Sequence, residues 1–301
     1  MERFFADPFG ILIDSVVLGL FDAGPLALAA IGFTLIYYLS GFLNVAYGEN
    51  LIVGAYAAIV LNTGVLLPFS INLNFYLTIV PAAIIAGAFS VLTYLLIFRP
   101  AMRRGVGPTE MIILSVGLSF AIRFSLRIAF GPRNKNFDLG QPIYLEVFGI
   151  GVTDYQLAAL ALAAAFMVGL YLFVFRTDYG QKMRALASNP DLSAVSGIDP
   201  VRVSILIWFI AGVAGGLAGI FYGVFSSVNT DIGWELILIV IMITIVGRVG
   251  SVRGATIAAV GAAVFVAFMT QLTQPLYGQI ALLFIFIVIL KFSHVRTMAR
   301  T

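Results

Sequence analysis

The 301-residue sequence contains no cysteine, one histidine and three lysines, and charged residues make up only 10% of it. Without cysteine there are no disulfides and no thiolate metal sites. The lone His294 stands in the polar C-terminal tail, so no histidine-built metal or proton site is expected within an apolar segment. The lysines also decide the question of an internal ATPase. A phosphate-binding loop ends in Gly-Lys-Ser/Thr, with the lysine reaching the phosphates. Lys135, Lys182 and Lys291 are followed by Asn, Met and Phe, so none closes that loop. An intramembrane enzyme is equally unsupported: there is no H-E-x-x-H, no thiol nucleophile and no acid–base pair among the apolar runs. Finally, so little charge does not cover the surface of a soluble domain of this length.

Hydrophobic residues make up 61% of the chain, and the mean hydropathy is +1.06. About 20 apolar residues cross a bilayer core, and runs such as Tyr76–Phe98, Gln156–Phe175 and the segment ending in Ala281–Leu290 reach or approach that length. Apolar segments fall near 11–39, 45–61, 74–98, 109–130, 152–175, 201–228, 234–270 and 276–291. The chain is therefore expected to be a single all-α polytopic membrane domain over 1–301, with about eight transmembrane helices, some broken or re-entrant. The 234–270 segment is too long for one crossing, and it breaks at GRVGSVRG, 247–254, where Gly247, Gly250, Ser251 and Gly254 do not continue a lipid-facing helix. The first segment is interrupted at Asp22-Ala23-Gly24-Pro25, which leaves open whether 11–22 spans or lies in the interface. Met1–Asp14 lacks a basic n-region and a cleavage site, and reads as retained sequence.

Orientation follows from Lys and Arg, which accumulate on the cytoplasmic side. If the spans alternate, one side collects Arg99, Arg103, Arg104, Arg176, Lys182, Arg184, Arg202, Arg248, Arg253, Lys291, Arg296 and Arg300. These are twelve of the seventeen basic residues, so that side is cytoplasmic. The 131–151 loop and the acidic Glu2, Asp7, Asp14 and Asp22 fall opposite.

One cytoplasmic stretch, within 177–200, is polar yet patterned as helix. Asp178 followed by Gln181 resembles a capping box that opens a helix running to about Ser188. Asn189-Pro190 then restarts the chain as N-cap and N1, and Gly197 is a natural stop. Met183, Leu186 and Ala187 share one face of the first helix, with Leu192 and Val195 on the second, and those faces require another surface.

Four motifs in order resemble the membrane permease subunits of bacterial ABC importers for branched-chain and other hydrophobic amino acids, the LivH-type permeases. Gly180, Arg184, Ala185, Ala187, Asn189, Ala194, Gly197 and Ile198 follow that family's cytoplasmic loop pattern. Gly41, Asn44, Ala46, Gly48 and Glu49, then Gly54-Ala55-Tyr56, follow a second. Gly247, Gly250, Ser251 and Gly254 follow a glycine-rich turn, and Arg99-Pro100 with Gly117-Leu118-Ser119 follow two shorter signatures. Tyr47 stands where the family has histidine, Arg248 where a second glycine is usual, and Arg123 where a neutral polar residue is expected.

The resemblance implies a transmembrane permease subunit that imports amino acids by alternating access and binds no cofactor itself. ATP and Mg would be handled by two separate cytoplasmic ATP-binding subunits. The other partners implied are a homologous permease or a second copy, an extracytoplasmic binding protein and the bilayer of the bacterial or archaeal inner membrane, with no nucleic acid. Gly180, Met183, Arg184, Leu186, Ala187, Asn189, Leu192, Gly197 and Ile198 would form the segment that docks in a groove of the ATPase. Urea or short amides are alternative cargo, and a stand-alone secondary transporter using Glu49 as its coupling site is an alternative class.

Substrate-pathway candidates are Asn44, Tyr47, Glu49 and Asn50, a polar cluster where an apolar helix begins. Glu49 equally suits a cap on its own helix N-terminus. Arg123 and Arg127, four apart, suit snorkelling or attraction of a substrate carboxylate. Glu235 suits an interface position, and the small residues of AGVAGGLAG, 211–219, suit close helix packing or a subunit interface.

Overall fold

The structure, a computed structural model, describes residues 8–64, 73–147, 150–248, 250–273 and 275–298. Glu2, Asp7 and Arg300, used above for orientation, lie outside these residues. The elements in chain order are α1 (Pro8–Ser40), α2 (Tyr47–Thr63), α3 (Phe75–Thr93), a π-helical turn (Tyr94–Phe98), α4 (Arg99–Arg103) and α5 (Pro108–Phe130). After the strands β1 (Tyr144–Val147) and β2 (Ile150–Thr153) come α6 (Asp154–Arg176), α7 (Asp178–Ser188), α8 (Pro190–Val195), α9 (Pro200–Phe225), α10 (Ile232–Val246), α11 (Val252–Leu272) and α12 (Pro275–Met298).

Among the described residues six helices are long and apolar enough to cross a bilayer: α1, α3 with its extension to Arg103, α5, α6, α9 and α11. The shortest of these, with 21 residues, rises about 31 Å, close to the thickness of a hydrocarbon core. The shorter apolar helices α10 and α12, with the 17-residue α2, complete an all-α polytopic membrane protein.

One expectation about a break is corrected. The helix α1 runs unbroken through Asp22–Pro25 for 33 residues. Proline deletes one backbone bond, a loss that neighbouring membrane helices tolerate, and here Gly24 lies against the backbone of Ala159 on α6. Residues 11–22 are continuous with the rest of α1. They pack along α11, with Gly19 seated on the backbone of Val264. At the end of the 131–151 loop, β1 and β2 pair antiparallel, with Tyr144 opposite Thr153.

The core is built around α9. Its glycine-rich stretch lets two neighbouring helices approach closely: Gly216 meets the backbone of Gly54 of α2 and the methyl of Ala86 of α3, while Gly219 lies on the carbonyl of Leu51, also on α2. Small residues of this kind drive helix association in lipid, where apolar burial alone gives no gain. The stretch packs within the chain, as close helix packing requires. A π turn precedes Pro100 for a local reason. Proline lacks an N–H and crowds the preceding turn, and the widened turn lets the Arg99 N–H donate to the carbonyl of Tyr94. Tyr94 and Phe98, carried by that turn, both pack on Trp208 with ring centroids 5.2 Å away.

The helices α5, α6 and α11 stand at the periphery, each with only 22% of its apolar stretch buried. Ile128, Val168 and Ile257 point outward from them, as bilayer-facing side chains do.

Candidate functional site

The polar cluster forms where α1 ends and α2 begins. Gly41 adopts a left-handed φ of 72° and turns the chain. The link to α2 is then held from across the bundle, because the Val45 N–H donates to Ser115 Oγ of α5 at 3.0 Å. Asn44, Tyr47, Glu49 and Asn50 are all buried. The structure thus brings the four pathway candidates together but gives them different surroundings.

Tyr47 is a packing wedge. Its ring sits edge-on to Phe33, 5.8 Å between centroids, and its hydroxyl donates to the Ala211 carbonyl at 3.1 Å. The hydroxyl fills space left by the missing side chain of Gly32. Asn50 lies beside Gly215. Asn44 keeps its side-chain carbonyl oxygen buried and unpartnered among the described residues.

Glu49 is neither a simple helix cap nor an open carboxylate awaiting an ion. It lies in the first turn of α2, fully buried, and Ser119 Oγ donates to its Oε1 at 2.6 Å. Arg123 Nη2 donates to the same oxygen at 3.2 Å. Arg123 therefore does not snorkel. It turns inward, where its guanidinium also lies over the Trp234 ring at 4.7 Å and the Phe120 ring at 5.4 Å. A buried charge needs a partner, and the pair supplies one. Some capacity is left over, because Glu49 Oε2 and Arg123 Nε are buried with no hydrogen bond among the described residues.

One turn on, Arg127 Nη2 meets Asp231 Oδ2 at 2.5 Å, and its Nε donates to Thr230 at 3.1 Å. Glu235 is exposed, as an interface position requires. Ser115, Ser119 and Trp234 belong to this cluster although sequence reasoning did not assign them to it. A signal was present: Met111, Ser115, Ser119 and Arg123 recur every four residues and form the buried face of α5. That spacing lines one side of a helix.

The polar 177–200 segment forms two helices, Asp178–Ser188 and Pro190–Val195, near the predicted boundaries, and the details refine the reading. Thr177, not Asp178, is the N-cap of α7, accepting from the Gly180 N–H at 3.1 Å. Asp178 takes the first helical position. Asn189 caps α8, accepting from the Leu192 N–H at 3.0 Å, and Gly197 leaves it at a left-handed φ of 82°.

The predicted docking face is corrected. Met183 and Leu186 are buried against the chain's own helices. Gly180 lies on the carbonyls of Phe173 and Val174, and Arg184 Nη1 donates to that of Val174. Ala187 and Ile198 are half-buried. The free apolar side chains are Leu192 and Val195 on α8, 64% and 87% exposed, with Tyr179 on α7. Of the loop pattern, Gly180 is buried and Arg184, Ala187 and Ile198 are half-buried, while Ala185, Asn189, Ala194 and Gly197 are exposed.

The break at 247–254 is a turn between α10 and α11. Gly247 and Gly254 touch through the Gly247 carbonyl, Ser251 caps α11 by accepting from the Gly254 N–H at 3.0 Å, and Gly250 packs on the Tyr38 ring. Arg248 sits at a φ of 66°, and among the described residues no other non-glycine has positive φ.

Comparison with known proteins agrees with this architecture. A family model described as "Branched-chain amino acid transport system / permease component" matches residues 15–290. A Pseudomonas aeruginosa protein, the high-affinity branched-chain amino acid transport system permease protein BraD, is 25% identical over 291 residues, covering 93% of each chain. The probable branched-chain amino acid transport permease protein LivH of Methanocaldococcus jannaschii is 28% identical over 202 residues, 64% of this chain and 61% of that one. The Escherichia coli K12 high-affinity branched-chain amino acid transport system permease protein LivH is 26% identical over 196 residues, 62% of each. No solved structure matches. With nearly its full length matched and a polytopic helical body, the chain belongs to the permease-component family of branched-chain amino acid transport systems.

Proposed function

We propose that this chain is the membrane-spanning permease of an ABC importer for branched-chain or similarly apolar amino acids in the cytoplasmic membrane of its cell. It works beside a second permease, two ATP-binding subunits that hold ATP and Mg, and an extracytoplasmic binding protein. The observation that carries the reading is α7–α8, a capped two-helix element projecting from a membrane body. It is anchored inward by Met183 and Leu186 and presents Leu192 and Val195 outward.

An apolar patch on a short helix fits a groove on a partner. Arg184 ties α7 to the last turn of α6. Gly197 and Ile198 link α8 directly to Asp199, which caps the start of α9 by accepting from the Val201 N–H at 2.9 Å. A push on α8 is therefore delivered to a peripheral helix and to the central one together, and alternating access follows from their relative movement.

The test is co-expression with the ATP-binding subunits of the same organism, comparing wild type with Leu192→Glu plus Val195→Glu. Copurification and ATP-dependent leucine uptake into proteoliposomes carrying the binding protein should both fall more than about tenfold, with an unchanged melting temperature. Leucine movement by this chain alone, indifferent to ATP and to those substitutions, would overturn the reading.

A further inference from the structure

A cavity of about 320 Å³ lies between α1, α6, α7 and the turn joining α10 to α11. It stands at the cytoplasmic end of the bundle, level with Tyr38 near the end of α1 and Phe175 in the last turn of α6. Leu35, Leu170 and Met183 make its wall apolar, while Arg184 and Arg253 enter it from α7 and α11.

Among the described residues no aspartate or glutamate lines this cavity, and neither arginine pairs with a carboxylate. Both are nonetheless held in place by neutral partners. Arg253 donates to the Tyr171 hydroxyl at 3.0 Å and lies over that ring at 5.1 Å. Arg184 donates to the Val174 carbonyl and lies over Phe175 at 5.4 Å. Two positioned, uncompensated guanidiniums make a phosphate site, because arginine binds phosphate through paired N–H groups. The flanks decide where the phosphate comes from. Leu172 and Phe175 on α6 and Ile257 on α11 are exposed beside the cavity, on helices whose outer faces are apolar.

We propose that this cavity binds the headgroup of an anionic phospholipid from the cytoplasmic leaflet. Arg184 and Arg253 share its phosphate, and its acyl chains run along the outer faces of α6 and α11. Basic pockets between membrane helices on this side are suited to such headgroups. The bound lipid fastens α7 to α11, so the stiffness of the α7–α8 element depends on membrane composition. The proposal rests on the cytoplasmic placement of α7 and is independent of the cargo.

The experiment is native mass spectrometry of the full chain released from nanodiscs holding equal amounts of phosphatidylglycerol and phosphatidylcholine. Wild type should retain phosphatidylglycerol about tenfold or more over phosphatidylcholine, and Arg253→Gln should lower that preference roughly fivefold. Arg253→Gln with Arg184→Gln should abolish it, while Arg202→Gln, whose guanidinium already pairs with Asp199, should leave it intact. Equal retention of the two lipids by wild type would overturn the proposal without relying on any variant. So would a preference that survives both substitutions. Saturation of lipid-free protein by soluble glycerol phosphate as well as by phosphatidylglycerol would make this a soluble-phosphate site and overturn the lipid assignment.

Discussion

Arg123 shows how a side chain's meaning depends on what lies across from it. Its sequence setting, an arginine near the outer end of an apolar helix, fits a side chain reaching for water. The Glu49 carboxylate 3.2 Å away turns it inward instead. The four-residue recurrence of Ser115, Ser119 and Arg123 was legible, but the partner was not, because Glu49 lies 74 residues earlier and only the fold brings it across. Removing one member of a buried pair costs about 3–5 kcal/mol. Glu49→Gln should therefore lower the melting temperature sharply, and adding Arg123→Met should recover most of the loss, as read in a double-substitution cycle by thermal unfolding in detergent. A second arginine invites the opposite change. Arg248 holds a left-handed φ of 66°, a conformation that costs a side-chain-bearing residue roughly 1–2 kcal/mol. Arg248→Gly should raise thermal stability by about 1 kcal/mol, and a drop would show that its side chain makes a compensating contact.

The restart at α8 was readable because caps are local chemistry: an oxygen at the right offset accepts an orphan N–H, as Asn189 does from Leu192, whereas at α7 the cap falls one residue earlier than read, on Thr177. Which face of α7 looks outward was not readable, since Met183 and Leu186 suit a partner's groove and the chain's own body equally well. Met183→Glu should therefore cost folding yield, assessed by size-exclusion profile, whereas Leu192→Glu should leave the profile intact. The packing of α9 offers a sharper contrast. A Cβ on Gly219 would sit 1.8 Å from the Leu51 carbonyl oxygen, while one on Gly117 of α5 would meet nothing within 4 Å. Gly219→Ala should lose about 1–3 kcal/mol by overpacking, and Gly117→Ala should be neutral or gain up to about 1 kcal/mol from helix propensity. Equal effects at the two positions would contradict the close approach of α2 and α9.

Membrane class and the approximate number of helices followed directly from apolar run length, because a bilayer imposes one thickness on every crossing. The continuity of α1 did not, because Pro25 is a breaker in water and only a local irregularity when α6 and α11 support the helix. The absence of cysteine makes the orientation easy to check. A single cysteine at Lys182 should react with a membrane-impermeant maleimide only from the cytoplasmic side, and one at Asn134 only from outside; the reverse pattern would invert the topology. The Glu49–Arg123 pair has a further consequence, for how the protein is made. The carboxylate is synthesised 74 residues before its guanidinium. At ordinary rates of synthesis α2 waits roughly 4–15 s with its charge unanswered. Insertion of α2 and its electrostatic completion are thus separate events, and the delay between them is set by the order of residues along the chain, whatever the stability of the finished bundle.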